Sequence, residues 1–184
     1  MRELSLHIMD IIENGLAAGA NVIRVFIVED RQKNWLRITI TDNGCGMPEE
    51  ILKKVMDPFF TTRTTRRIGL GLSLFREASR RCDGELNIKS KPSEGTEVVA
   101  TFRLDHIDLP PFGDMSASMT SLIMGNPDVD FIYTHERNRN HFQMDTRQIK
   151  EELDGVPINH PEVLKYIDGT IKESLEELKK GNIK

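Results

Sequence analysis

Cysteine is scarce in this chain. The 184 residues contain two, Cys45 and Cys82, with neither a metal-ligand spacing nor the numbers for a disulfide framework. A disulfide-stapled secreted scaffold is thereby excluded, and reduced thiols in a cytoplasmic setting are the expectation. Long apolar runs are also missing, since no window approaches the roughly 20 residues of a membrane span. The opening MRELSLHIMDIIENG carries acids and lacks the basic-then-apolar order of a signal peptide. Neither an internal repeat nor a low-complexity tract occurs. With 38 % apolar and 29 % charged residues, the chain can bury a core unaided by metal or disulfide. Its length suits one large domain, or one medium domain with a substantial extension.

A net charge of −4 conceals an asymmetry. Residues 1–104 hold 16 Lys+Arg against 14 Asp+Glu, a balance of +2, while residues 105–184 hold 9 against 15, a balance of −6. The basic excess is concentrated in TTRTTRR at 61–67, which has three arginines and no acid. Such a run is by default a solvated face, and the whole-chain charge gives no nucleic-acid signal.

Periodicity predicts a helix from about Glu3 to Ala18, with Leu4, Ile8, Ile11, Ile12 and Leu16 on one stripe and Gly19 at the C-cap. Strands are expected at Val22–Val28 and Trp35–Asp42, joined by the polar stretch EDRQKN. In the second strand Leu36, Ile38 and Ile40 share a face, and strict alternation puts Asp42 on it. A short helix over Pro48–Met56, a loop MDPFFTTRTTRRIG and a helix over Leu70–Cys82 follow. Two strands, Glu85–Ser90 and Thr96–Leu104, flank the turn KPSEG. Beyond the proline-containing connector HIDLPPFGD come a helix (Met115–Met124), a hairpin (Phe131–His135 with His141–Met144) and helices over Arg147–Leu153 and Pro161–Lys180. The mixed order implies an α+β layered sandwich, divided into residues 1–104 and a C-terminal α+β extension of residues 105–184.

Three segments carry chemistry. His7, Asp10 and Asn14 fall at i, i+3 and i+7, one stripe of the first helix. By itself that is a polar helix face; an Asp and an Asn one turn apart could also hold a hydrated magnesium ion and orient a water. Asp42-Asn43-Gly44-Cys45-Gly46-Met47 places an acid before glycines two apart, which lets backbone approach a ligand closely. From Pro58 through Leu72, the run PFFTTR…IGLGL ends in a Gly-x-Gly that opens a helix. Free N–H groups and the positive end of the helix dipole would there face an anion, with threonines and arginines as further donors.

In this order the segments resemble the boxes of the GHKL superfamily of gyrase B, ninety-kilodalton chaperone, histidine kinase and mismatch-repair ATPases. ENGLAAGA at 13–20 resembles the asparagine box of the mismatch-repair members. Residues 42–47 resemble the first glycine box, and PFFTTR, IGLGLSLF, NIKS and KPSEGTEVVATF look like a histidine-kinase catalytic domain. The resemblance covers about residues 4–104 and implies a Bergerat-type two-layer sandwich that binds ATP with magnesium. It implies that Asn14 coordinates the metal through the triphosphate. Asp42 would take the adenine amine, with Gly44, Gly46 and Met47 beside the base and Thr96 supporting the pocket. Phe60, Thr61, Thr62, Arg63, Gly69, Leu70 and Gly71 would line the lid and its phosphate-facing end.

The chain departs from the pattern in three places. Where gyrase-like members carry a water-activating glutamate, four residues before the asparagine, this chain has Asp10, a shorter carboxylate. Glu13 is turned about 100° away from Asn14 on a helix and is the weaker base candidate. Gly15 and Ala17 replace the more usual serine and aspartate. Arg66, Arg67 and Ile68 stand where a lid glycine often begins, which implies a short, stiff, cationic lid. Only 13 residues precede Asn14, so no phosphoacceptor domain is expected, and His7 reads as a packed or capping histidine. His135 and His141 could face each other across the hairpin turn, which does not make a zinc site. Both cysteines read as small packed residues.

Two functions stay open at this point. One is a regulatory kinase or ATPase that passes the γ-phosphate to a separate protein or to water, with Asp10 as base. The other is a non-catalytic, ATP-gated protein-binding module of anti-sigma type. In either, the acidic extension is the expected docking or homodimer surface, and no membrane or nucleic-acid partner is implied.

Overall fold

The computed structural model of the chain describes residues 3–55, 70–138 and 140–181. The elements follow the order α1 (Leu4–Ala17), β1 (Val22–Asp30), β2 (Trp35–Asp42), α2 (Glu49–Leu52), α3 (Leu70–Arg81), β3 (Leu86–Lys91), β4 (Gly95–Arg103), α4 (Met115–Gly125), β5 (Asp130–Arg137), β6 (Asn140–Asp145), α5 (Thr146–Glu152) and α6 (Pro161–Lys180). Six strands form one sheet in the order β3-β4-β2-β1-β5-β6. Every neighbouring pair is antiparallel except β1 and β5, which run parallel. This is the α+β, Bergerat-type arrangement expected.

Alternation builds the core. Ile23, Val25 and Ile27 of β1, Leu36, Ile38 and Ile40 of β2, and Val98, Ala100 and Phe102 of β4 are all buried on one face. Phe131 and Tyr133 extend that face onto β5, opposite Ile23 and Val25. Helices α1, α3, α4 and α6 cover it: Leu4, Ile8, Ile11 and Ile12 come from α1, Phe75 from α3, Met119 and Ile123 from α4, and Ile167 and Ile171 from α6. The other face is open at Phe26, 41 % exposed, and covered at Ile132 of β5, 6 % exposed, as a largely antiparallel sheet permits.

The sheet and its core run without a break past residue 104. The connector also ties the two segments, because Pro111 and Phe112 carbonyls accept from the Leu4 and Ser5 amides (2.9 Å each). Those are two of the orphan donors at the start of α1, whose Glu3 N-cap provides no side-chain bond.

Several boundaries differ from expectation. Strand β1 continues to Asp30 and takes Glu29 and Asp30 out of the connector, since Glu29 has buried partners on β5. Helix α2 is confined to Glu49–Leu52, and Met56 lies outside the described residues. The hairpin strands reach Asp130–Arg137 and Asn140–Asp145. His135 and His141 do not face each other: His135 is opposite Phe142 and turned inward, while His141 is opposite Glu136 and exposed. Cys82 is buried as expected, whereas Cys45 is exposed. No described helix is long and apolar enough to cross a membrane.

Candidate nucleotide site

One end of the covered face is polar. Asp42, the last residue of β2, is opposite Thr96 on one side and Ile23 on the other, and Thr96 is opposite Ser90. The parity that aligns Leu36, Ile38 and Ile40 thus delivers a carboxylate to the core layer where the sheet ends. Asp42 is half-buried, and its Oδ1 accepts from the Gly44 amide at 2.9 Å. Burial pushes its carboxyl above the usual range, against the opposing pull of the Gly44 and Thr96 N–H groups.

The glycine box is folded tightly around that carboxylate. Gly46 has φ +66°, and a β-carbon there would collide with the Lys91 carbonyl. Gly44 is packed against Ala18, whose carbonyl accepts from the Cys45 amide (2.9 Å). The Met47 amide donates to Ser90 Oγ (2.8 Å), which donates on to the Gly95 carbonyl (2.9 Å) and lies 3.0 Å from Thr96 Oγ1. Ser90 therefore joins the glycine box to Thr96. It was not among the expected site residues, because a serine closing a strand gives no signal until the β3–β4 register is known. Asn43 adds a second anchor, accepting from the Asn21 and Val22 amides at 3.0 and 2.9 Å.

Helix α1 passes directly over this end. A β-carbon on Gly15 would stand 2.9 Å from that of Asp42, so the glycine found where serine is more usual permits close passage. Asn14 is exposed and Asp10 half-buried on the same helix. Across from Asp10 is Gly71: a β-carbon there would lie 3.0 Å from the Asp10 β-carbon and 3.1 Å from its Oδ2. Leu70 opens α3 and is 43 % exposed.

The structure thus brings Asp10, Asn14, Asp42, Gly44, Gly46, Met47, Thr96, Leu70 and Gly71 around α1 and the ends of β2 and β4. Phe60, Thr61, Thr62, Arg63 and Gly69 lie outside the described residues. His7 is 2 % exposed and stacks on Phe75, with ring centroids 5.1 Å apart and planes at 15°. It is a packed ring, and its burial lowers its pKa to about 4. No group of three or more His, Cys, Asp or Glu suited to a metal occurs among the described residues. Magnesium does not require one, because it keeps most of its waters and takes one or two protein oxygens plus substrate phosphates. The Asn14 amide with the Asp10 carboxylate one turn away is a donor set of that kind.

Residues 2–106 match the family described as histidine kinase-, DNA gyrase B- and HSP90-like ATPases. Among similar proteins, the sensor protein DegM of Bacillus sp. (strain B21-2) is 33 % identical over 98 residues, covering 53 % of this chain and 26 % of that protein. The signal transduction histidine-protein kinase AfsQ2 of Streptomyces coelicolor is 32 % identical over 114 residues, 60 % of this chain and 21 % of that one. The histidine-protein kinase AtoS of Escherichia coli K12 is 38 % identical over 88 residues, 48 % and 13 % respectively. The chain therefore spans about a quarter or less of the length of these curated relatives. A crystal structure of the N-terminal domain of a DNA repair protein has the same fold, with a TM-score of 0.57 at 13 % identity over 79 % of this chain and 52 % of that one. With 105 of its 184 residues inside the match, this chain belongs to the family of histidine kinase-, DNA gyrase B- and HSP90-like ATPases and carries their ATP-binding domain.

Proposed function

We propose that the chain is a Mg-ATP-binding regulatory protein that passes the γ-phosphate of ATP to a separate protein or to water. The observation that carries this reading is Asp42, a half-buried carboxylate at the end of an apolar strand, ringed by Gly15, Gly44 and the Ser90–Thr96 pair. A half-buried acceptor met only by the Gly44 and Thr96 backbone N–H groups suits an exocyclic amine, and Gly15 and Gly44 let α1 and the glycine box pack directly against it. Asn14 holds magnesium with the triphosphate, and Asp10 is the carboxylate within reach of an attacking water. Leu70 and Gly71, at the start of α3 beside Asp10, face the phosphates. Phosphoryl transfer asks mainly for positioning and charge neutralisation, which these groups provide.

Residues 1–104 form the nucleotide part on this reading. Residues 105–184 form an extension, grown onto the edge of the same sheet, that offers a docking or dimer surface.

Calorimetry with ATP and magnesium tests the site: binding is expected in the wild type and should vanish in Asp42→Ala and Asn14→Ala. Undiminished binding in either overturns the assignment of that residue. Phosphate release by wild type against Asp10→Ala tests the chemistry. A rate that drops in the variant supports the base. ATP binding without turnover, with a partner captured only in the ATP state, would instead support a non-catalytic ATP-gated module.

A further inference from the structure

Two contacts fix how α3 lies on α1. Gly71 presses on Asp10, and Phe75 stacks on His7. The later residue of α3 meets the earlier residue of α1, so the helices run antiparallel. The start of α3 therefore lies beside the half of α1 that carries Asp10 and Asn14. The contacts also differ in size. At Asp10 the partner has no side chain at all; one turn back along α1, two flat rings stand between the helices. The helices thus meet through a glycine at the Asp10 end and through a stacked ring pair at the His7 end.

The ring pair is anchored. Phe75 is fully buried and tilts against Phe102 of β4, with ring centroids 5.8 Å apart. His7 is 2 % exposed, and its Nδ1 has no hydrogen-bond partner among the described residues. The imidazole meets α3 through its face, and the paired rings fill the space between the two helices there.

We propose that the His7–Phe75 stack is the spacer that seats the start of α3 against the Asp10–Asn14 stripe, making His7 a positioning residue for the γ-phosphate end of bound ATP. The inference rests on the nucleotide reading above and adds a residue that touches no part of the nucleotide. Replacing the flat ring, by a smaller group or by a branched one that cannot lie against the Phe75 face in the same way, lets α3 shift about the Asp10–Gly71 contact. The lid end then shifts while Asp42, Thr96 and Ser90, held by the sheet and the glycine box, stay in place. The defect should therefore fall on the triphosphate and spare the adenine.

The test is the affinity of His7→Ala, His7→Leu and His7→Phe for MgATP and MgADP by calorimetry, with melting temperatures alongside. His7→Ala and His7→Leu should lose about tenfold in ATP affinity and less than about twofold for ADP. His7→Phe, which keeps a flat ring, should keep both affinities whatever its melting temperature does. Equal losses for ATP and ADP, no loss in either aliphatic variant, or an ATP-specific loss in His7→Phe each overturn the spacer. If the wild type binds neither nucleotide, the nucleotide reading itself falls and takes the spacer with it. Wild-type binding of both, abolished by Asp42→Ala, shows that only the spacer is at stake.

Discussion

Asp42 and Glu29 stand on the same face of the same sheet, two strand ends apart, and the fold treats them oppositely. Burial pushes both carboxyls upward. At Glu29, 8 % exposed, that push is outweighed: His135 Nε2 lies 2.9 Å from Oε1 and Arg137 Nε 3.7 Å from Oε2, so the carboxyl ends below its usual range. Tyr133 completes the chain, its hydroxyl 2.9 Å from His135 Nδ1. Asp42 is less buried, yet it has only two backbone N–H groups against the same push and ends above its usual range. A buried acid supplied with side-chain partners holds the fold together. One left without them keeps its capacity for a ligand, which is what the proposed adenine contact asks of Asp42.

The most severe way to break this contrast is Glu29→Ala. It leaves the buried His135 ring without its hydrogen-bond partner and the partly buried Arg137 without its carboxylate, and breaking a buried pair by removing one member typically costs about 3–5 kcal/mol. Denaturant unfolding should show a loss of that order, while the folded fraction keeps its ATP affinity. A loss below about 1 kcal/mol would remove the structural role claimed for the network.

His7 is a third buried titratable group, and it resembles Asp42 in lacking compensation. Its pKa falls from 6.5 to about 4 through burial. Between those values the unfolded chain binds a proton that the folded chain refuses, so stability falls as pH drops through the window. Over the full window the loss approaches about 3 kcal/mol. Above pH 6.5 the group contributes no pH dependence. The lowered Glu29 carboxyl also loses its stabilising effect on acidification, but only as pH falls below its ordinary value of 4.5. Unfolding free energies of wild type and His7→Phe from pH 7 to 5 should therefore diverge, the variant staying flatter. Parallel curves would refute the assignment.

The two ends were unequally legible in the sequence. Asp42 was readable because strand parity is a local rule: an acid closing an apolar alternating row must share its face. The glycine box and the Asp10–Asn14 stripe were readable for the same reason, as spacings within one element. Glu29 and His135 were not, because 106 residues separate them and only the parallel pairing of β1 with β5 brings them together. The polar stretch EDRQKN reads as a connector until Glu29 is known to have a buried partner, and β1 then runs two residues further. Likewise, a hairpin places His135 near His141 in sequence while the pleat sends one inward and the other out. Cys45 reads as packed because it is small and flanked by glycines, but tight backbone turns can expose the side chain between them.

Asp42→Asn sharpens the contrast from the other side. Because the folded pKa is raised, the charged form is the one the fold disfavours, so the cost of Asp42 builds as pH rises from the ordinary value of 3.8 to the raised one and is full above it. An amide of the same shape removes the charge. The melting temperature at pH 7 should rise, by about 1 kcal/mol or less in stability, while ATP affinity falls by roughly tenfold, since a charge-assisted acceptor becomes a neutral one. A variant that loses both stability and affinity would place Asp42 with Glu29, as a structural acid.

The mildest change probes the junction between glycine box and pocket. Ser90→Ala removes one oxygen that accepts from the Met47 amide, donates to the Gly95 carbonyl and lies beside Thr96. Each group is only part-buried and can recruit water, so the expected cost is about 1 kcal/mol. The functional effect is indirect: Met47 and Thr96 remain, but nothing links them, and ATP affinity should weaken by roughly two- to threefold. Hydrogen exchange distinguishes this from general loosening. The Met47 amide should exchange faster in Ser90→Ala, whereas the Ile38 and Ile40 amides, in the buried middle of β2, should slow or quicken no more than global stability dictates. If Met47 exchanges at its wild-type rate, Ser90 is not what holds the glycine box to the end of β4, and the box is held instead by the Ser93 amide donating to the Cys45 carbonyl and by the Asn43 anchor to Asn21 and Val22.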